Sequence, residues 1–161
     1  MRLTTMTDYA MRLLMYVAQQ GERLSTIAEI ADAYGISEAH LMKVTHRLAT
    51  HGLIETVRGK GGGMRLARAP SAINLGVVVR CVEPDFHLVE CFGEASGCLL
   101  TGRCRFNGIL NDALGDFLAR LDRHTLADVL PAPLTLPAAP APARRARAGA
   151  RYSLVRSPSR R

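Results

Sequence analysis

Two helical patterns meet at a glycine between residues 26 and 51, and no other feature constrains the fold of this chain as strongly. The first pattern ends near Tyr34-Gly35, where glycine suits the left-handed cap of a helix. The second follows Ser37, a residue type that caps helix N-termini, and carries an apolar stripe at helical spacing to about residue 51. Two short helices joined by so tight a turn predict a helix-turn-helix.

A glycine-rich hairpin is predicted directly after these helices. The segments LIETVRG and MRLA have the composition of strands and flank the turn RGKGGG. A hairpin in that position predicts a winged helix. Another helix is predicted before the pair, at residues 7–20, with Thr7 as its N-cap and Asp8 in its first turn.

The second half of the chain is predicted to be helical around one irregular loop. Periodicity predicts an apolar helix at residues 73–82, a loop at residues 83–103, a long helix at residues 104–124 and a further turn at residues 126–130. Four apolar positions of the long helix alternate steps of four and three, which is the seam spacing of a helix pair. This seam predicts a homodimer; the alternative is that the same face is buried within one chain. The seam consists of Leu110, Leu114, Phe117 and Leu121.

Together these elements predict a mainly α-helical protein with a small β-hairpin. We expect a winged helix-turn-helix in the DNA-binding region at residues 1–70 and a cysteine loop followed by a long dimerisation helix at residues 71–130. Residues 131–161 are rich in proline, alanine and arginine, a composition that predicts a disordered tail.

The chain shows no sign of membrane insertion or export. No segment approaches the roughly 18 apolar residues of a membrane span, and the N-terminus lacks the pattern of a signal peptide. We therefore expect a cytoplasmic protein without a membrane partner, in which thiols stay reduced. Clustered cysteines in that setting indicate metal binding or redox chemistry and not a disulfide framework.

The net charge of +7 comes from the C-terminal tail. Seven of the 21 basic residues are arginines after residue 140, where no acidic residue occurs, so the rest of the chain has 14 basic and 14 acidic residues. DNA binding must therefore be argued from local charge. The arginines of the tail could add contacts to DNA phosphates or belong to a solvated extension.

Local basic charge coincides with the predicted helix-turn-helix and wing. The second helix of such a pair enters the major groove, and glycines let a wing approach the DNA backbone. The alternative is an ordinary solvated face with an ordinary hairpin turn, but the three features together favour double-stranded operator DNA as the partner. The turn is not a nucleotide-binding loop, because it is too short and lacks a GKS or GKT ending. The predicted DNA-binding residues are Ser37, Glu38, His40, Lys43, Arg47, Arg58, Lys60, Gly61, Gly62 and Arg65.

Three cysteines, Cys91, Cys98 and Cys104, lie in the segment CFGEASGCLLTGRC. Their gaps of six and five residues lack the C-x2-C pairs that zinc sites favour and the C-x-x-C-H of c-type haem. Wide gaps suit a polynuclear iron–sulfur centre, whose thiolate ligands wrap around it. By spacing alone, iron–sulfur ligation, zinc binding and a thiol redox switch all remain open. Cys81, on the apolar helix, is predicted to be a small buried residue and not a fourth ligand.

Several segments together resemble the NsrR-type repressors, a group of the winged-helix iron–sulfur regulators that also include IscR. The resemblance rests on MRLTTMTDYAMRLL, IAEIADAYGISEAHLMKV, VRGKGGGMRLARAPSAINLGVVVR, the three cysteines and LDRHTLADVL, and it covers residues 1–130. It implies a homodimeric, iron–sulfur-dependent transcriptional repressor whose cluster is held by Cys91, Cys98 and Cys104. In relatives with a four-iron cluster an aspartate of the partner subunit completes the ligation, and Asp8 matches it. Asp8 would also be favourable simply as a first-turn helix charge.

The resemblance further implies a cluster of the [2Fe-2S] or the [4Fe-4S] type, with nitric oxide as the signal. On this hypothesis the dimer binds a palindromic operator and releases it when the cluster is nitrosylated. The six-residue gap between Cys91 and Cys98 exceeds the four or five common in relatives, which leaves the nuclearity open. His87, near Cys91, is an alternative ligand.

Other functions remain to be weighed against this hypothesis. An iron- or cluster-status sensor like IscR is the alternative within the same class. A DNA-binding module that is merely stabilised by zinc is an alternative of a different class. An enzyme is not expected, because the sequence offers no pairing of a nucleophile with a base.

Overall fold

The structure, a computed structural model, describes residues 2–93, 96–100 and 102–131. Within these residues the chain forms six α-helices and one two-stranded hairpin, with short 3-10 turns at Pro70–Ala72 and Glu90–Phe92. The elements in chain order are α1 Thr5–Gln19, α2 Ile27–Tyr34, α3 Glu38–Thr50, β1 Ile54–Val57, β2 Gly63–Leu66, α4 Leu75–Val82, α5 Arg105–Asp122 and α6 Leu126–Val129.

The winged helix is confirmed, and local caps define its helices. A capping box begins α2: the Thr26 hydroxyl accepts from the Glu29 N–H at 3.2 Å, and the Glu29 carboxylate accepts from the Thr26 N–H at 2.9 Å. Gly35 ends α2 in the left-handed conformation, with φ of 65°. Ser37 then caps α3 by accepting from the His40 N–H. Strands β1 and β2 follow as an antiparallel pair, which is the wing.

The start of α1 differs from the prediction. Thr7 as N-cap is wrong, because the helix begins at Thr5 and is capped by Thr4, whose hydroxyl accepts from the Met6 N–H. Thr7 is buried instead, and its hydroxyl donates to Glu83 Oε1. The same oxygen accepts from the backbone N–H and the hydroxyl of Thr4, at 2.9 and 3.1 Å. A carboxylate 76 residues from Thr7 therefore decides where α1 starts, which local spacing could not reveal.

Replacing Glu83 with alanine is expected to lower the free energy of unfolding by about 1–3 kcal/mol, because donors at the start of α1 lose their buried acceptor. Glu83 is only 9% exposed. Urea unfolding followed by circular dichroism measures the loss. Glu22→Ala, which removes an exposed carboxylate, is the matched control and should change stability by less than about 0.5 kcal/mol. Equal stabilities of the two variants would contradict a structural role for Glu83.

One apolar core joins the helices to the wing. Helix α1 packs against α3 and α4, and its residues Leu13, Leu14 and Val17 are fully buried. The wing is tied to this core through Met64, which is 2% exposed and whose backbone exchanges hydrogen bonds with Ser25 at 2.9 and 2.7 Å. Burial of a side chain of this size contributes about 1.5–3 kcal/mol, so the base of the wing is held by the core.

The long helix α5 is attached to the body near its C-terminal end. The Asp122 carboxylate accepts from both terminal nitrogens of Arg80, at 2.6 and 2.8 Å, and these hydrogen bonds lower the pKa of Asp122. The backbone oxygen of Asp122 also accepts from Asn74 Nδ2 at 2.6 Å. Helix α4 thereby holds the last turn of α5 in place.

The other end of α5 is open to solvent. Phe106 and Ile109 are 60% and 64% exposed, and Leu114 is the buried residue of the helix. The predicted long helix is confirmed. Of its seam, Leu114 is covered within one chain, whereas Leu110 and Phe117 are only partly buried.

Among residues 2–93, 96–100 and 102–131, no helix combines the length and apolar character that a membrane span requires. The predicted disordered tail, residues 131–161, lies outside the described residues except for Pro131.

Candidate DNA interface and cysteine site

The outer face of α3 is the centre of the candidate DNA interface. The helix buries Leu41, Val44 and Leu48 and turns its opposite side outwards. Lys43 and Glu38 are exposed on that side. No ion pair compensates Lys43 within the part of the chain that the structure describes. An uncompensated lysine at this position of a helix-turn-helix can contact phosphates or base edges.

Ser37 and His40 are linked to each other at the start of α3. Ser37 Oγ lies 2.8 Å from His40 Nδ1, and the imidazole ring centre lies 5.9 Å from that of Tyr9 on α1. The predicted DNA-binding residue His40 therefore also connects α1 to the first turn of α3. Sequence reasoning missed this contact, because Tyr9 lies 31 residues earlier in the chain.

Arg47 is placed differently from the other predicted DNA-binding residues. Its Nη1 donates to the backbone oxygen of Val82 at 2.5 Å, and its own backbone oxygen accepts from Cys81 Sγ at 3.5 Å. A cation beside the last carbonyls of a helix interacts favourably with the helix dipole. In this structure Arg47 therefore joins α3 to the C-terminal end of α4, while its contact with DNA stays a prediction.

The tip of the wing carries the second group of predicted DNA-binding residues. Arg58 and Lys60 are exposed. Gly61 has a φ of 79°, a conformation that residues with a side chain rarely adopt. A Cβ atom on Gly62 would lie 2.3 Å from the Val57 oxygen and 2.9 Å from the Gly59 oxygen. The two glycines therefore permit the tight turn that presents Arg58 and Lys60.

Arg65 lies opposite Glu55 in the hairpin register, and the two side chains pair at 2.9 Å. Both are about half exposed, so this pair contributes little to stability. Its effect is to compensate the charge of Arg65, which leaves Arg58 and Lys60 as the stronger cationic groups of the wing.

Two of the three clustered cysteines lie beside the first turn of α5. Cys104 is the N-cap of this helix, but its side chain makes no capping hydrogen bond. Cys91, in the 3-10 turn, is partly buried, and its sulfur accepts from Asn107 Nδ2 at 3.1 Å. Cys98 is exposed in the segment between them. Sequence reasoning missed Asn107; its position three residues after Cys104, on the same side of the helix start, is the signal that could have found it.

The described residues do not converge into a ready-made metal site. No group of three or more histidine, cysteine, aspartate or glutamate side chains lies close enough together to hold a metal ion within the described ranges. A cleft of about 410 Å³ opens beside Cys91 and is lined by His87, Asn107 and Asn111 among others. His87 Nδ1 lies 3.9 Å from the Asp85 carboxylate.

Asp8 lies on the surface of α1. Its carboxylate pairs with Arg12 at 3.0 Å, one turn later on the same helix, and its side chain is 51% exposed. Arg12 in turn lies 5.9 Å above the ring of Tyr34. The position leaves Asp8 accessible to another molecule, while its role as a ligand stays a prediction.

Cys81 is buried, as its place on the apolar helix predicts. It is 7% exposed, and burial raises the pKa of its thiol. A buried neutral thiol is a poor nucleophile and a poor metal ligand. Cys81 therefore belongs to the core and not to the cysteine site.

Comparison with known sequences places this arrangement among transcriptional regulators. The profile of the Rrf2 family, described as iron-dependent transcriptional regulators, matches residues 3–132. The HTH-type transcriptional regulator NsrR of Halalkalibacterium halodurans is 48% identical over 132 residues, which are 81% of this chain and 90% of the relative. NsrR of Bacillus subtilis is 47% identical over 133 residues, or 81% of this chain and 90% of the relative. Protein aau3 of Rhizobium meliloti is 48% identical over 134 residues, which are 82% of this chain and 86% of the relative.

Solved structures of similar fold include CymR and IscR. CymR (YrzC), the global cysteine regulator of B. subtilis, superimposes with a TM-score of 0.65 at 24% identity, covering 81% of this chain and 96% of that one. T. potens IscR superimposes with a TM-score of 0.64 at 27% identity, covering 81% of this chain and 86% of that one.

Proposed function

Because the chain belongs to the Rrf2 family of transcriptional regulators, we propose that it is an iron–sulfur-dependent repressor that responds to nitric oxide. Membership of this family makes it a DNA-binding regulator and not an enzyme. Iron–sulfur dependence and the response to nitric oxide are proposed from one observation. Three thiols lie before and at the start of α5, in a chain 47–48% identical to regulators named NsrR.

The residues of the cysteine site fit an iron–sulfur cluster. Thiolates are the common protein ligands of such clusters, and Cys91, Cys98 and Cys104 would supply three. Helices α1 to α4 each have an N-cap residue whose side chain accepts a capping hydrogen bond. Cys104, the N-cap of α5, makes no such bond, so its sulfur is available to bind a metal ion. The positive end of the α5 dipole favours negative charge at this position. We propose Asp8 of the partner subunit as the fourth ligand of a [2Fe-2S] or [4Fe-4S] cluster.

Operator binding is assigned to the outer face of α3 and the tip of the wing. Ser37, Glu38, His40 and Lys43 would lie in or beside the major groove, and the wing would follow the backbone. The wing residues proposed for that contact are Arg58, Lys60, Gly61, Gly62 and, less strongly because of Glu55, Arg65.

Replacing Lys43 with alanine is expected to weaken binding to duplex DNA and to reduce the slope of log Kd against log salt concentration by about 0.9, the value for one lost phosphate contact. Fluorescence anisotropy at several salt concentrations measures the slope. Arg120→Ala removes an exposed cation from the far end of α5 and is the matched control. An equal change of slope in both variants would place Lys43 outside the interface.

We propose that the exposed part of α5 is the interface of a homodimer. Helix-turn-helix proteins that recognise two DNA half-sites bind as dimers. Phe106 and Ile109 lie three residues apart on α5 and expose their apolar side chains by 60% and 64%, which makes this part of the helix a candidate interface. Ile109→Glu should therefore shift the protein from dimer to monomer in analytical ultracentrifugation and lower operator affinity by at least about tenfold. Asp112→Ala, on an exposed position of the same helix, is the control. A wild-type monomer, or an unchanged dimer in Ile109→Glu, would contradict the proposal.

We expect α1 to transmit a change at the cysteine site to α3, the helix proposed to enter the major groove. When bound, an iron–sulfur cluster supplies iron to which nitric oxide can bind. On the protein side, Asp8 is followed directly by Tyr9, whose ring contacts His40 at the start of α3. Helix α1 also packs along α3. A change in how Asp8 is held can therefore move α3, and a difference of a few kcal/mol between two states suffices to release DNA.

The experiment that tests the proposal is a gel-shift assay with anaerobically reconstituted protein and an operator obtained by in vitro selection. The expected result is tight binding before nitric oxide treatment and binding weaker by at least about tenfold after it. Unchanged binding after treatment would refute nitric oxide sensing, and iron-free, colourless protein after reconstitution would refute the cofactor.

A second function is a regulator of iron or cluster status, favoured by the similarity to T. potens IscR. It predicts that target genes respond to iron limitation and not to nitric oxide. Reporter expression under both conditions separates the two functions. Zinc without labile sulfide in anaerobically prepared protein would instead favour a DNA-binding module stabilised by zinc.

A further inference from the structure

One hydrogen bond connects the cysteine segment to the dimerisation helix. Asn107 Nδ2 donates to Cys91 Sγ at 3.1 Å, and both side chains are partly buried. The two residues lie 16 positions apart in the chain. This contact brings the sulfur of Cys91 against the same first turn of α5 that Cys104 begins.

The position of Asn107 makes this contact more specific than a chance surface interaction. Asn107 is the third residue of α5, where a polar side chain often turns back to the N-cap backbone. Here its amide is directed towards Cys91. Asn111, one turn later, lines the same cleft but is exposed. The helix thus presents two carboxamides to one cleft, of which Asn107 holds the sulfur.

An amide donor changes the chemistry of a ligating sulfur. A thiolate is a stronger acceptor than a thiol, so the hydrogen bond strengthens when Cys91 becomes a ligand. Hydrogen bonds to the sulfurs of an iron–sulfur centre raise its reduction potential, and groups that orient ligands from outside the ligand set commonly change metal affinity by about 10–100-fold.

We propose that Asn107 is a positioning residue for Cys91, an inference that rests on the proposed cluster. It holds Cys91 Sγ against the first turn of α5 and stabilises the thiolate by donating a hydrogen bond. Asn107 is therefore not a ligand itself, and it determines how readily the cluster is lost and at what potential it is reduced.

The test compares reconstituted wild-type protein with Asn107→Asp, which keeps the shape of the side chain and removes the donor. Iron release to a chelator, followed through the visible absorption, should be about tenfold faster in Asn107→Asp. Its reduction potential should be lower than that of the wild type. Asn107→Leu, which adds no charge, should show the same directions, and Asn107→Gln, which retains an amide donor, should recover part of the wild-type behaviour.

Asn111→Leu is the matched control, because it alters the same helix and cleft without touching Cys91, and it should behave as wild type. Equal iron release and potential in wild type, Asn107→Asp and Asn107→Leu would overturn the role of Asn107 while leaving the proposed function intact. A wild-type protein that forms no chromophore in the same reconstitution would refute the proposed cofactor and this inference with it. Circular dichroism of each variant separates loss of the cluster from loss of the fold.

Discussion

Replacing Cys104 with serine is expected to leave the anaerobically reconstituted protein without bound iron and without visible absorption. A serine hydroxyl stays protonated at neutral pH and is a much poorer ligand for iron than a thiolate. The loss should exceed the roughly 10–100-fold change typical of groups outside the ligand set, and Cys91→Ser and Cys98→Ser should behave alike. Iron and labile sulfide per chain, together with the absorption spectrum, measure the effect.

Cys81→Ala provides the matched control for this experiment. Cys81 is buried, burial raises the pKa of its thiol, and its sulfur faces the backbone oxygen of Arg47. This variant should keep its iron and its spectrum, although the lost sulfur costs about 1 kcal/mol of stability or more. Iron retained in Cys104→Ser, or lost in Cys81→Ala, would show that the ligand set differs from Cys91, Cys98 and Cys104.

Replacing Gly62 with alanine should lower operator affinity by at least about tenfold, which corresponds to about 1.4 kcal/mol. The added Cβ would lie 2.3 Å from the Val57 oxygen, well inside the contact distance of two non-bonded atoms. Because the neighbouring atoms belong to the backbone, the turn itself must move. Arg58 and Lys60 move with it, so the wing loses its position on the DNA.

Stability should change much less than affinity in this variant, since the base of the wing is held by Met64 in the core. Gly108→Ala is the control: its Cβ meets no atom within 4 Å, and alanine is the better helix former by about 1 kcal/mol. Anisotropy with operator DNA and urea unfolding measure the two quantities. Full operator affinity in Gly62→Ala would show that the wing tip does not contact DNA.

Much of the fold could be predicted because its signals are local. Thr26 and Glu29 cap α2 through backbone groups three residues apart, and Gly35 supplies a conformation that other residues rarely adopt. Apolar spacing likewise predicted α3 and the long helix α5. In each case the interacting atoms lie within a few residues of one another.

The errors and omissions arise where the partner lies far away in the chain. Thr7 has the local features of an N-cap, but Glu83 draws both Thr4 and Thr7 to one oxygen and moves the start of α1. The sequence also does not reveal that the Arg47 guanidinium donates to the Val82 carbonyl, 35 residues later. Periodicity and composition describe neighbouring residues only, so they cannot predict contacts between distant parts of the chain.

The cysteine site divides in the same way. Spacing in the sequence predicts the three clustered thiols as candidate ligands, and apolar context predicts that Cys81 is buried. The folded chain alone shows that Cys104 is the N-cap of α5 but makes no capping hydrogen bond, and that Asn107 donates to Cys91. The physical reason is that residue type and local spacing set what a side chain can do, whereas packing of distant segments sets which partner it meets.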